Sequence, residues 1–198
     1  MTVGNSLSRV RLGDLCVQDR KLAQPDSLTA KNLPYLSLEH IESNTGRILQ
    51  SPENLINESI QGTAFLFDAR HILYGKLRPY LNKVALPLFS GRCTTELVPL
   101  LPMPTVSRRY LAWILRHSKT ISFAMKGKTG SRMPRADVDE LLGLEVDLPK
   151  SLDEQEQIAD VIEARYKAIE IAKSSCLRQI ELLDTLAKRT LQECLATN

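Results

Sequence analysis

The chain contains no apolar run approaching the ~20 residues that a membrane-spanning helix needs, which argues against a helical anchor and against a membrane partner. Its first fifteen residues, MTVGNSLSRVRLGDL, are polar or charged throughout and lack the apolar centre of a secretory signal. Cysteine is sparse: Cys16, Cys93, Cys176 and Cys194 lie far apart, with no Cys-x-x-Cys pair. That spacing argues against a disulfide framework or a zinc site, and for small, partly buried reduced thiols in a cytoplasmic protein. Catalytic signatures are missing too. There is no G-x-G-x-x-G after a strand and no phosphate-binding P-loop. NLPY (32–35) invites comparison with the N-P-P-Y tetrad of adenine-N6 methyltransferases. It lacks the second-position proline and any accompanying glycine-rich cofactor loop, and reads as a turn entering a strand. His40, His71 and His117 have no partner at metal-ligand spacing, so each reads as a surface or packing histidine. Glu39, Glu42, Asp137 and Asp139 form no nuclease pattern. The expectation is no catalytic residue, no metal and no cofactor.

Acid is nearly absent from one third of the chain. Residues 69–135 hold thirteen Lys or Arg and a single carboxylate, Glu96, a local balance of +12 within an overall net charge of +3. The last 48 residues hold nine acids and six cations. A field so lopsided points the middle of the chain at a polyanion. The competing reading is a cationic body that binds an acidic protein partner in a non-catalytic scaffold.

What is present divides near Pro149. With 43% hydrophobic and 25% charged residues the composition is that of a folded globular protein. TAFLF (63–67), HILYGKL (71–77), KVAL (83–86) and TTELVPLL (94–101) read as strands, rich in branched and aromatic residues and bounded by turn formers. SRRYLAWILRHSKTISFAM (107–125) reads as one helix with Leu111, Ile114, Leu115, Ser118, Ile121, Ser122 and Met125 on a face, and Trp113 as a packing residue. KGKTGSRMPR (126–135) reads as a loop. A short helix at DVDELLG (137–143), ended by glycine, leads into an alternating strand, LEVDL (144–148).

From Ser151 the periodicity changes. Ser151 and Glu154 form a capping box, and the apolar or small positions Ile158, Ile162, Tyr166, Ile169, Ala172, Cys176, Ile180, Leu183, Ala187, Leu191 and Cys194 recur with a mean step of ~3.6. No Gly or Pro interrupts this stretch. About 43 residues at 1.5 Å each give a helix of ~64 Å, longer than the ~40 Å diameter of a 150-residue body. An apolar stripe that overhangs its own globule needs a partner.

Two stretches, DARHILYGKLRPYLNKVAL (68–86) with GRCTTELVPLLP (91–102), resemble the signature of target-recognition domains in the specificity subunits of type I restriction-modification enzymes. GSRMPRADVDELLGLEVDLPKSLDEQEQIADVI (130–162) resembles the closing segment of such domains, where a P-L-x-E-Q element starts a long spacer helix. The resemblance implies a subunit without catalysis that binds double-stranded DNA and holds adenine-N6 methyltransferase subunits, with a restriction or translocase subunit as a further partner. Full-length specificity subunits carry two recognition domains and two spacer helices; here there is one of each and no internal repeat. The resemblance therefore implies a half-subunit, with a second copy paired through the helix to read a bipartite palindrome.

The expected architecture is α+β, a mixed or antiparallel recognition domain over residues 1–150 followed by a pairing helix over 151–198. The expected DNA-binding residues are Lys76, Arg78, Tyr80, Asn82, Lys83, Arg92, Thr94, Lys126, Lys128, Thr129, Ser131, Arg132 and Arg135. Lys and Arg neutralise phosphates, and Arg also suits the guanine edge. Tyr74, Leu77 and Tyr80 read equally well as core. Base discrimination is expected first in 126–135, then in 92–96 and 42–57. The expected dimerisation residues are Ile158, Ile162, Tyr166, Ile169, Cys176, Ile180, Leu183, Ala187 and Leu191.

Overall fold

The computed structural model describes residues 7–23, 32–56, 62–128 and 130–196. Two compact units emerge, Met1–Glu156 and Gln157–Asn198. The first is α+β, as expected. β1 (Leu7–Arg11) pairs antiparallel with β9 (Glu145–Pro149), in register from Leu7↔Pro149 to Arg11↔Glu145. A four-stranded antiparallel sheet runs in the order β2 (Cys16–Gln18), β8 (Leu97–Pro102), β5 (Ile72–Gly75) and β6 (Val84–Ala85). A three-stranded mixed sheet places β7 (Gly91–Thr94) between β3 (Tyr35–Leu36), parallel to it, and β4 (Ala64–Phe67), antiparallel.

The apolar run of β5 reflects burial on both faces. Ile72 and Tyr74 join one core with Leu12, Leu100, Leu111, Leu115 and Leu141. Leu73, pointing the other way by strand alternation, joins a second core with Leu36, Ile41, Leu55 and Leu97.

Three expectations change. The single strand read at 94–101 is two. Thr94 ends β7 and Leu97 starts β8, so Thr95 and Glu96 carry the chain from one sheet to the other. Glu96 N donates to Thr94 Oγ1 at 3.4 Å, a local bond that competes with continued ladder pairing. The helix expected over 107–125 is also two, α1 (Arg108–Arg116) and α2 (Ser118–Ala124). His117 between them is extended (φ −66°, ψ 143°) and its ring accepts from Lys119 N. The expected continuous face dissolves there: α1 buries Leu111, Ala112 and Leu115, whereas α2 buries Thr120 and Ala124. Finally, the N-terminal strands β1 and β2 are new, because their short alternation of polar and apolar residues carries little period-2 signal.

Cys16 and Cys93 are buried free thiols, each pushed up to about 12 by burial. Cys176 is exposed, contrary to a partly buried thiol. The side chain of Cys194 lies outside the described residues. α3 (Val138–Leu142) is capped by Asp137, whose carboxylate accepts from Asp139 N and Glu140 N.

The last helix, α4 (Leu152–Ala196), runs unbroken for 45 residues. Ser151 Oγ accepts from Glu154 N at 3.1 Å, one of the two bonds of the expected capping box. From position 164 to 196 every side chain described is exposed. Among the described residues, no helix is long and apolar enough to cross a membrane.

Candidate nucleic-acid interface

β5 ends at Gly75, where a Cβ would meet Leu38 Cδ2 and Lys83 O at 3.0 Å each. The chain then leaves the sheet without leaving the body. Lys76 N donates to Glu96 O at 2.9 Å, Arg78 N to Pro134 O at 2.7 Å, and Ala136 N to Lys76 O at 2.8 Å. Leu77 forms a bridge with Arg135. Three cationic or polar segments distant in sequence, 76–78, 94–96 and 134–136, are thereby laced together by backbone hydrogen bonds.

Arg78 and Asn82 both hold φ 50°, the left-handed region that a non-glycine residue rarely adopts. They bracket a single 3-10 turn, Pro79–Leu81. Pro79 is buried, while Arg78 is exposed and Tyr80 is 49% exposed. Tyr74 is core, and burial drives its hydroxyl well above the usual phenol range. Of the three aromatic or apolar residues left open above, Tyr74 is therefore structural, Leu77 half-buried and Tyr80 presented outward.

In the loop that follows α2, Lys126, Ser131 and Arg132 are exposed and Lys128 is half-buried. Gly127 (φ 71°) and Gly130 (φ 85°) have open space where a Cβ would sit. Thr129 lies outside the described residues. At the root of this loop the exposed Arg135 sets its Nε 3.0 Å from Glu96 Oε1.

Other expected contact residues point into the protein. Asn82 Nδ2 donates to Arg116 O at 3.2 Å. Lys83 Nζ donates to Leu38 O at 2.6 Å, and burial lowers the pKa of its ammonium. Arg92 is 6% exposed and donates to Leu33 O at 3.2 Å. Thr94 is half-buried and serves the turn described above.

Further cations of the basic stretch do the same. Arg108 reaches His71 O and Pro87 O, and Arg116 reaches Val84 O while stacking 4.7 Å over Trp113. The strands are short, so many carbonyls lack ladder partners, and long cationic side chains satisfy them. Part of the +12 balance is thus spent inside. Lys76, Arg78, Lys126, Lys128, Arg132 and Arg135 are the cations along the laced edge and its loop.

Sequence reasoning passed over two sets of residues. Gln155 is fully buried: its Oε1 accepts from Ser107 N at 2.8 Å and its Nε2 donates to Pro149 O at 3.0 Å and Thr105 O at 3.3 Å. The signal was available, since a glutamine three residues before Ile158 continues the apolar face of the helix. The second set is Asp19 and Asp68, which flank His71, read above as a surface or packing histidine and buried here: its ring nitrogens lie 3.2 Å from Asp19 Oδ2 and 3.1 Å from Asp68 Oδ1. Hydrogen bonds from Arg70 hold the Asp68 carboxyl well below the usual range. For Asp19, burial acts upward but is outweighed by hydrogen bonds from Lys21 and His71. Among the described residues, no group of three or more His, Cys, Asp or Glu is arranged to hold a metal.

On α4, Ile158 and Ile162 are half-buried, and Tyr166, Ile169, Cys176, Ile180, Leu183, Ala187 and Leu191 are exposed.

No protein-family model matches the chain. It is 26% identical over 166 residues to the type I restriction enzyme EcoDI specificity subunit of Escherichia coli, a match covering 83% of this chain and 36% of that protein. Among solved structures it superposes on a chain of a type I R-M system, studied for complex assembly and conformational transition, with TM-score 0.70 and 17% identity. It superposes on the HsdS subunit from Thermoanaerobacter tengcongensis with TM-score 0.68 and 19% identity. Both matches cover 92% of this chain and 48% of the other. The fold is that of these subunits, and the chain spans about half the length, or less, of the proteins it matches.

Proposed function

We propose that this chain is a non-catalytic DNA-recognition subunit of a type I restriction-modification system. The observation that carries this reading is the laced edge. Backbone bonds from Lys76 and Arg78 to residues 96, 134 and 136 bring the basic turn after β5 and the basic loop after α2 to one place. Charge drawn together from separate parts of a chain by fixed backbone suits the regular spacing of duplex phosphates. The left-handed Arg78 and the exposed Tyr80 stand on the same turn. The sequence likeness to a specificity subunit supports the same reading independently.

In this reading the recognition unit reads one half-site. A second copy supplies the other through the exposed stripe of α4, so that the paired protein reads a bipartite palindrome. Adenine-N6 methyltransferase subunits join that assembly and provide the chemistry, with a restriction or translocase subunit as a further partner.

The test is selection of bound duplexes from a random pool by the purified protein, followed by titration of the winning site with salt. Enrichment of a two-part palindrome is expected. With about five phosphates neutralised, log K falls against log salt with a slope near −4.5. A slope near zero, or no enrichment, overturns the assignment.

A further inference from the structure

Glu96 is the single carboxylate in residues 69–135, and it is spent on one guanidinium. Arg135 Nε lies 3.0 Å from Glu96 Oε1 and 3.2 Å from Oε2. The contact runs through Nε to both carboxylate oxygens, and with half of the side chain exposed the terminal amino groups are not engaged by Glu96. The backbone beneath is held as well. Leu77 bridges Arg135, and the neighbours on either side bond to the turn after β5, Pro134 O to Arg78 N and Ala136 N to Lys76 O. Glu96 is fixed in its turn, because its carbonyl accepts from Lys76 N and its N–H bonds Thr94 Oγ1.

Phosphate contacts tolerate mobile side chains, whereas reading a base edge needs a planar donor pair at a set position. A free arginine gives up roughly 2 kcal/mol of rotamer entropy when it is ordered on a base. Arg135 has lost much of that freedom already. Lys126 and Arg132 stand instead beside Gly127 and Gly130, whose surroundings are open. A carboxylate beside DNA is also repelled by phosphate, so its placement at a cationic edge is explained by what it does for Arg135.

Resting on the DNA-recognition reading above, we infer that Arg135 is a specificity-determining residue, its fork taking O6 and N7 of a guanine in the half-site, and that Glu96 is its positioning residue. The pair is 51% and 24% exposed, so it adds little to stability. Changing it alters what Arg135 can read while the domain stays folded.

The experiment compares wild type, Arg135→Ala, Arg135→Lys and Glu96→Gln in random-pool selection, with affinities measured for the selected and a scrambled duplex. Arg135→Ala is expected to lose the preference for guanine at one position of each half-site. Its discrimination there falls about 10- to 100-fold, and its affinity for scrambled DNA changes far less. Arg135→Lys keeps the charge but not the fork, and loses the same preference. Glu96→Gln weakens discrimination at that position alone, and has no such effect when Arg135 is already alanine; a purely structural role for Glu96 would persist in both backgrounds. An unchanged preference in Arg135→Lys, with cognate and scrambled affinities falling equally in Arg135→Ala, makes Arg135 a phosphate contact and overturns the inference while leaving DNA recognition standing. A wild-type protein that enriches no site overturns both.

Discussion

Lys83 and Arg78 lie five residues apart in the same basic turn and do opposite things with their charge. Lys83 buries its stem and gives its ammonium to Leu38 O. Replacing it by methionine keeps the stem but strands that carbonyl, at about 1 kcal/mol net. The Lys83→Met variant is expected to show a lower urea midpoint and an unchanged salt slope for DNA binding. Arg78→Ala is expected to do the reverse, with stability nearly intact and the slope less steep by about 1. A third residue, Asp68, sets a pH limit. Its carboxyl is depressed in the folded protein, chiefly by hydrogen bonds from Arg70, relative to ~3.9 in an unfolded chain. The unfolded chain therefore binds more protons in acid. The stabilising contribution is complete above about pH 5 and drains away as pH falls through the unfolded value towards the folded one. Asp68→Asn should flatten the fall in urea midpoint between pH 5 and pH 3; a fall as steep as the wild type's would place the acid sensitivity elsewhere.

Among the elements, α4 begins with the strongest polar anchor described. One carboxamide, that of Gln155, serves Ser107 N, Pro149 O and Thr105 O in a place without solvent. Next to it Glu156 accepts from Ser107 Oγ and from Arg109 Nη1. Alanine at 155 would leave buried donors and acceptors unbonded, so Gln155→Ala is expected to cost about 2–4 kcal/mol, read as a lowered thermal midpoint with Trp113 fluorescence as the probe. Glu156→Gln, half-exposed and still able to accept, should cost far less. The same elements explain why the 107–125 stretch is not one helix. Thr120 Oγ1 bonds Ile114 O, and the His117 ring caps Lys119 N, so side chains take over backbone duties across the break.

At the scale of the whole molecule, the question is what covers α4. Ile169, Ile180 and Leu183 are 59%, 55% and 65% exposed in the single chain. Paired copies would bury them, each fully buried side chain contributing on the order of 1.5–3 kcal/mol. Replacing all three by glutamate keeps helix propensity while charging the stripe. Sedimentation velocity is expected to show a dimer for the wild type and a monomer for the triple variant, with the far-ultraviolet signal of the first unit retained. A variant that still sediments as a dimer would move the contact to another surface.

Four of the strands after residue 63 (β4, β5, β6 and β9), the start of α4 at Ser151 and its unbroken length were legible in the sequence, because each rests on local chemistry: alternation, a Ser-x-x-Glu cap, and a 3.6-residue period free of Gly and Pro. The basic stretch was legible too, as composition. Which of its cations face outward was not. Arg92, Arg108 and Arg116 look like Arg78 in a sequence, and only the placement of unpaired carbonyls draws the first three inward. The sheet change at Thr95 and Glu96 and the meeting of Glu96 with Arg135 depend likewise on pairings across tens of residues, whereas the break at His117 rests on local side-chain bonds that the apolar period conceals. Local propensity encodes a segment's conformation, whereas the partner of a charge is decided by whatever the fold brings within 3 Å of it.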